Sequence, residues 1–96
     1  MDTRPPPAYA RSTIPGAHNL PHAQALDRID ELNRDQVTIL FCNGPQCAAT
    51  PDVVAALLAA GYPGGALAYY RGGLHDWQTL GLPVAPGSAQ PEASGA

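Results

Sequence analysis

Apolar positions along this chain come in short blocks separated by Pro- and Gly-containing turns. Pro5-Pro6-Pro7 followed by Ala8, Tyr9 and Ala10 reads as the opening of a short helix, since prolines cost little in a first turn whose N–H groups have no partner. Ile14 to Ala17 turns the chain, and Leu20-Pro21 reads as the end of a very short strand. From Ala23 to Asn33, Leu26, Ile29 and Leu32 recur at three-residue steps, which predicts an amphipathic helix. Val37 to Phe41 is β-branched and almost wholly apolar, the pattern of a central strand covered on both faces. Pro51 to Ala60 predicts a second long helix, with Thr50 as N-cap, Pro51 at its first position and Gly61 just past its end.

Ala66 to Tyr70 follows as another short strand and Arg71-Gly72-Gly73 as a turn. A last helix runs from Leu74 to Leu80, placing Leu74, Trp77 and Leu80 toward the core. Strand, crossover helix, strand is the unit of a parallel sheet, so the pattern predicts an α/β fold: a small open parallel sheet flanked by helices. Residues 1–85 make up the one domain. Pro86 to Ala96, small, polar and rich in Pro and Gly, reads as a disordered tail.

Composition narrows the function classes. With 45% hydrophobic residues the chain can bury a core, although a domain this small hides only about 60–70% of its unfolded surface. Lys is absent, the five Arg residues are scattered and the net charge is −3, so no basic stripe exists to neutralise phosphates, and nucleic acid is not an expected partner. No apolar run approaches a membrane span, and the start lacks the layout of a signal peptide, which makes the cytoplasm the expected compartment. Cys42 and Cys47 are too few for a structural zinc site, and His18, His22 and His75 show no ligand spacing with them, so no metal is expected. In such a chain the two cysteines read as reactive thiols rather than a structural bridge.

Cys42 carries the candidate chemistry. In open α/β sheets the reactive crevice lies beyond the carboxyl ends of the strands, where Cys42 sits. The loop Asn43, Gly44, Pro45, Gln46, Cys47 and Ala48 then leads into a helix N-terminus, so backbone N–H groups and the helix dipole can hold a thiolate or another anion. A thiolate is the nucleophilic form of cysteine. On spacing alone, a small buried residue at a strand end explains Cys42 equally well.

A set of ordered signposts extends this reading. Asp2-Thr3-Arg4, Ile14-Pro15-Gly16-Ala17-His18-Asn19-Leu20-Pro21, Phe41-Cys42-Asn43-Gly44, Tyr70 to Trp77 and Gly81-Leu82-Pro83-Val84 together resemble the rhodanese-like domain over residues 2–85. The resemblance implies a sulfurtransferase fold with no metal or organic cofactor. It casts Cys42 as the nucleophile that takes a sulfane sulfur from a small donor as a persulfide and passes it to a thiol or other nucleophilic acceptor. It also implies that the family's first strand and helix are missing ahead of Asp2, which would leave the Val37–Phe41 strand with an open edge.

The loop departs from the family pattern by lacking Arg, Lys and His between Cys42 and Pro51, so thiosulfate is expected to be a poor donor. It is similar instead to a C-N-G-P-x-C subtype, which makes Cys47 a candidate resolving thiol that closes a disulfide on Cys42, alongside the plainer reading of a small apolar loop residue. Arg71 is a candidate anion-binding side chain, and Asp2 and Arg4 read as residues that order neighbouring loops. A phosphatase-type reading needs an Arg six residues after the nucleophile, and Ala48 stands there. The alternative is a non-catalytic module that keeps the fold, senses oxidants or reactive sulfur through Cys42 and Cys47, and signals to a fused or partner domain upstream.

Overall fold

The computed structural model describes residues 1–87, so residues 88–96 of the expected tail lie outside the described part. Two parallel strands, β1 (Thr38–Phe41) and β2 (Leu67–Tyr70), pair in the register Thr38 with Leu67 through Phe41 with Tyr70. Three α-helices accompany them: α1 (Pro6–Arg11), α2 (Ala49–Ala59) and α3 (Gly73–Thr79). The order β1, α2, β2 is the predicted crossover unit.

The outer edge of β1 is occupied rather than open. Met1 to Thr3 lies alongside it in parallel: the Phe41 N–H donates to the Met1 carbonyl at 3.0 Å and the Thr3 N–H to the Phe41 carbonyl at 2.9 Å. On its other side the Asp2 N–H donates to His18 at 2.7 Å and the Leu20 N–H to Asp2 at 2.8 Å. His18–Leu20 and Met1–Thr3 therefore continue the sheet as short parallel ribbons, and the expected unpaired edge is absent along Ile39–Phe41.

One core cluster holds the layers together. Leu40 of β1, Val53 and Leu57 of α2, Leu20, Ala25, Leu32, Tyr62 and Ala66 are buried against one another. Thr50, Val53 and Leu57 recur at helical spacing on the buried face of α2. Gly61, at φ +90°, ends that helix in a conformation side chains resist, as the sequence pattern predicts.

Several expectations need correction. The segment Ala23–Asn33 is not an α-helix but two 3-10 turns, His22–Gln24 and Ile29–Glu31, joined by further turns. Three-residue steps fit the 3.0-residue period of a 3-10 helix as well as they fit an α-helix. Leu32 is buried, whereas Leu26 is 52% exposed. β1 starts at Thr38, and its two faces are covered unequally: Leu40 packs against α2 and its core, whereas on the opposite face Phe41 is buried but Ile39 is 56% exposed.

Thr50 is not an N-cap. The helix starts at Ala49, and the buried Thr50 hydroxyl pairs at 2.9 Å with that of Thr3, which also donates to the Phe41 carbonyl. A tertiary partner has claimed the hydroxyl a cap would have used. Leu80 follows the last residue of α3 and is 65% exposed, leaving Leu74 and Trp77 as the side chains α3 turns inward.

Beyond α3, Trp77 Nε1 donates to the Pro83 carbonyl at 2.6 Å, and Thr13 and Ala85 exchange backbone hydrogen bonds at 2.8 and 3.0 Å. The Gly87 N–H reaches the Tyr9 carbonyl at 3.1 Å. No helix among the described residues is long and apolar enough to cross a membrane.

Candidate functional site

Cys42 directly follows β1 and is 2% exposed. Parallel pairing with β2 brings the β2–α3 turn against it. The Leu74 N–H donates to the Cys42 carbonyl at 2.9 Å and the His75 N–H to the Asn43 carbonyl at 2.7 Å. Gly73, at φ +63°, lies so close that an added Cβ would stand 2.8 Å from the Gly44 nitrogen and closer still to the Cys42 carbonyl oxygen. Only glycine fits this position, by conformation and by space.

From the other side Arg4 ties down the loop. Its Nη1 donates to Asn43 Oδ1 at 3.1 Å, while Nε and Nη2 hold both carboxylate oxygens of Asp2 at 2.8–3.2 Å, and Nη2 also reaches the Ser12 carbonyl. Asp2 accepts further bonds from the Arg4 N–H and the Thr13 hydroxyl. Both charges are buried, so this pair is paid for by near-complete hydrogen bonding, and its outward arm is the contact to Asn43.

Within the loop the Cys47 N–H donates to the Gly44 carbonyl at 3.1 Å, and Cys42 and Cys47 are joined by a disulfide. The two cysteines, expected as reactive thiols with Cys47 able to close a disulfide on Cys42, stand within bonding reach in this loop, and Cys42 is in its oxidised form. Cys47 is half-buried, and Pro45, Gln46 and Ala48 around it are exposed. The N–H groups of Asn43, Gly44, Gln46 and Ala48 meet no acceptor among the described residues, leaving a run of donors for an anion in the same loop. Among the described residues no group of His, Cys, Asp and Glu is placed to hold a metal ion.

Arg71 is exposed at the start of the β2–α3 turn and makes no ion pair or hydrogen bond among the described residues. The structure joins it to Cys42 only through the turn it begins. Across that turn the Tyr70 hydroxyl, at the end of β2, donates to Asp76 of α3 at 3.4 Å, and its pKa is raised above the ordinary phenol value by desolvation first and by the Asp76 carboxylate second.

A cavity of about 650 Å³ lies elsewhere. Ile39, Phe41, Tyr70, Trp77 and Leu82 line it and Cys42 does not, because alternate residues of β1 face opposite sides of the sheet. The contacts of Gly73, Leu74 and His75 with the loop are the parts of the site that sequence reasoning missed, whereas the Arg4 contact to Asn43 fits the expected loop-ordering role of Asp2 and Arg4. The glycine pair ahead of α3 and the buried-type Asp-x-Arg motif were the visible signals.

The fold and this strand-loop-helix arrangement around a cysteine define a known class. The family model for the rhodanese-like domain matches residues 1–80, and the chain belongs to that family. An HTH-type transcriptional regulator of Mycobacterium tuberculosis, Rv0324, is 36% identical over 88 residues, covering 92% of this chain but only 38% of the regulator. A sulfurtransferase of Allochromatium vinosum is 31% identical over 84 residues, covering 88% of this chain and 75% of that protein. The crystal structure of the Alr3790 protein from Anabaena sp. superposes with a TM-score of 0.77 at 24% identity, over 97% of this chain and 70% of that one, a likeness of fold.

Proposed function

We propose that this chain is a sulfurtransferase module in which the reduced Cys42 carries a sulfane sulfur. The observation that carries the reading is the placement of Cys42 at the carboxyl end of β1, with its carbonyl held by Leu74 and an unpaired run of loop N–H groups following it. A thiolate there attacks the transferable sulfur of a donor and Cys42 holds it as a persulfide; in a sulfane donor such as thiosulfate the S–S bond breaks and sulfite leaves with the electron pair, and in 3-mercaptopyruvate the C–S bond breaks and the pair leaves as the enolate of pyruvate. The loop donors offset the negative charge that arrives with it.

Two exits balance. An acceptor nucleophile takes the outer sulfur and restores the Cys42 thiolate. Alternatively, the Cys47 thiolate attacks Sγ of Cys42, the outer sulfur leaves as hydrosulfide, and the Cys42–Cys47 disulfide forms without any external oxidant. The absence of Arg, Lys and His between Cys42 and Pro51 favours donors less anionic than thiosulfate. No metal or organic cofactor takes part in these steps.

The test is the intact mass of the reduced protein after exposure to 3-mercaptopyruvate and, separately, thiosulfate. One added sulfur that persists in Cys47→Ser and vanishes in Cys42→Ser is the expected result. No added sulfur from either donor, on protein shown to be folded, removes the catalytic reading. A second reading is then a redox or reactive-sulfur sensor acting on a partner domain, favoured by the Cys42–Cys47 disulfide together with the likeness to a transcriptional regulator.

A further inference from the structure

The two sulfurs of the disulfide stand in unequal surroundings. Cys42 is 2% exposed and fixed on both sides of its chain: β1 precedes it, and its carbonyl is held by the Leu74 N–H with the Gly73 backbone packed on it. Cys47 is half-buried, sits between the exposed Gln46 and Ala48, and is held locally by one hydrogen bond to Gly44. Thiol–disulfide exchange needs the incoming thiolate to reach one sulfur while the other leaves, so access decides which sulfur is struck.

We propose that an external dithiol reductant reopens the site by attacking Sγ of Cys47, so that Cys42 is released as the thiolate inside its loop. The reductant's first thiolate forms a mixed disulfide with Cys47 as the Cys42–Cys47 bond breaks, with the electron pair going to Cys42. The reductant's second thiolate then displaces Cys47, leaving an oxidised dithiol and two reduced cysteines; two electrons pass from the reductant to the protein. Attack at Cys42 is disfavoured because the residue is 2% exposed, which denies an incoming thiolate a path to its sulfur. The proposal rests on the sulfur-transfer reading for the role of the released Cys42. It assigns Cys47 the work of recovering the active form, and it requires a dithiol-supplying reaction to accompany each turnover that ends in the disulfide.

The whole oxidised chain is treated with glutathione, a monothiol that stops at the mixed disulfide, quenched in acid within seconds and alkylated. Peptide fragmentation between positions 43 and 46 then assigns each adduct to one cysteine. Glutathione is expected on Cys47 in about tenfold or greater excess over Cys42, with the alkyl group on Cys42. Glutathione mainly on Cys42, an even split, or reduction of the disulfide with no adduct on Cys47 at any glutathione concentration overturns the proposal. A Cys47 adduct in protein that never gains sulfur faults the sulfur-transfer reading alone, and a Cys42 adduct in protein that does gain it faults this inference alone.

Discussion

Gly73→Ala is the most telling single perturbation, because the methyl group it adds points at the backbone that carries Cys42. Two costs combine. An L-residue at φ +63° costs about 1–2 kcal/mol, and forcing a methyl into a well-packed site adds about 1–3 kcal/mol. The obstructing atoms belong to the backbone of Cys42, Asn43 and Gly44, so no side-chain rotation relieves them; the loop has to shift.

Gly61→Ala supplies the control. Gly61 has φ +90°, but an added Cβ there meets nothing within 4 Å, so only the conformational cost of about 1–2 kcal/mol applies. Urea unfolding of both variants, with the same denaturant slope, isolates the steric part as a difference of about 1–3 kcal/mol. The sulfur-loading mass assay on the folded fraction then reads the consequence at Cys42, where the Gly73 variant is expected to lose loading and the Gly61 variant to keep it. If Gly73→Ala is no more destabilising than Gly61→Ala and loads sulfur normally, the turn does not clamp the loop as argued.

Two further outcomes follow from buried polar groups. Arg4→Met leaves the Asp2 carboxylate buried without its ion partner and is expected to destabilise by about 3–5 kcal/mol, measured by urea unfolding; Arg4→Lys cannot restore the bidentate fork and is expected to recover only part of that. Tyr62 is 2% exposed with a hydroxyl that has no hydrogen-bond partner among the described residues, while Arg34 stacks 4.8 Å from its ring centre. Tyr62→Phe keeps the stacking and removes the unsatisfied oxygen, so thermal unfolding is expected to show a gain of about 1 kcal/mol; a clear loss would reveal a partner for that hydroxyl.

How far the sequence was legible depended on whether a neighbour in sequence or a neighbour in space decided each feature. The β-branched run before Cys42, the Pro and Gly punctuation around α2, and the glycine pair before α3 are local signals, and they place the strand-loop-helix unit and its cysteine correctly. The Leu26, Ile29 and Leu32 steps misled because α and 3-10 periods are indistinguishable over so few turns. Thr50 misled because a hydroxyl ahead of an apolar helix caps it only if nothing in the core competes, and Thr3, 47 positions away, does.

By itself the sequence determined the parallel α/β unit, the family, and Cys42 at the mouth of β1, since strand propensity, turn residues and motif order are all properties of short stretches of chain. Only the tertiary structure decided what the cysteine meets. Met1–Thr3 covers the strand edge, Arg4 reaches Asn43, Gly73 presses on the Cys42 carbonyl, and the half-buried Cys47 bonds to the buried Cys42. Apart from the disulfide, these contacts join residues more than 25 positions apart, as the separation of 39 between Arg4 and Asn43 illustrates. Such contacts arise from the parallel register and the packing of turns at one end of the sheet, which no local pattern of residue types encodes.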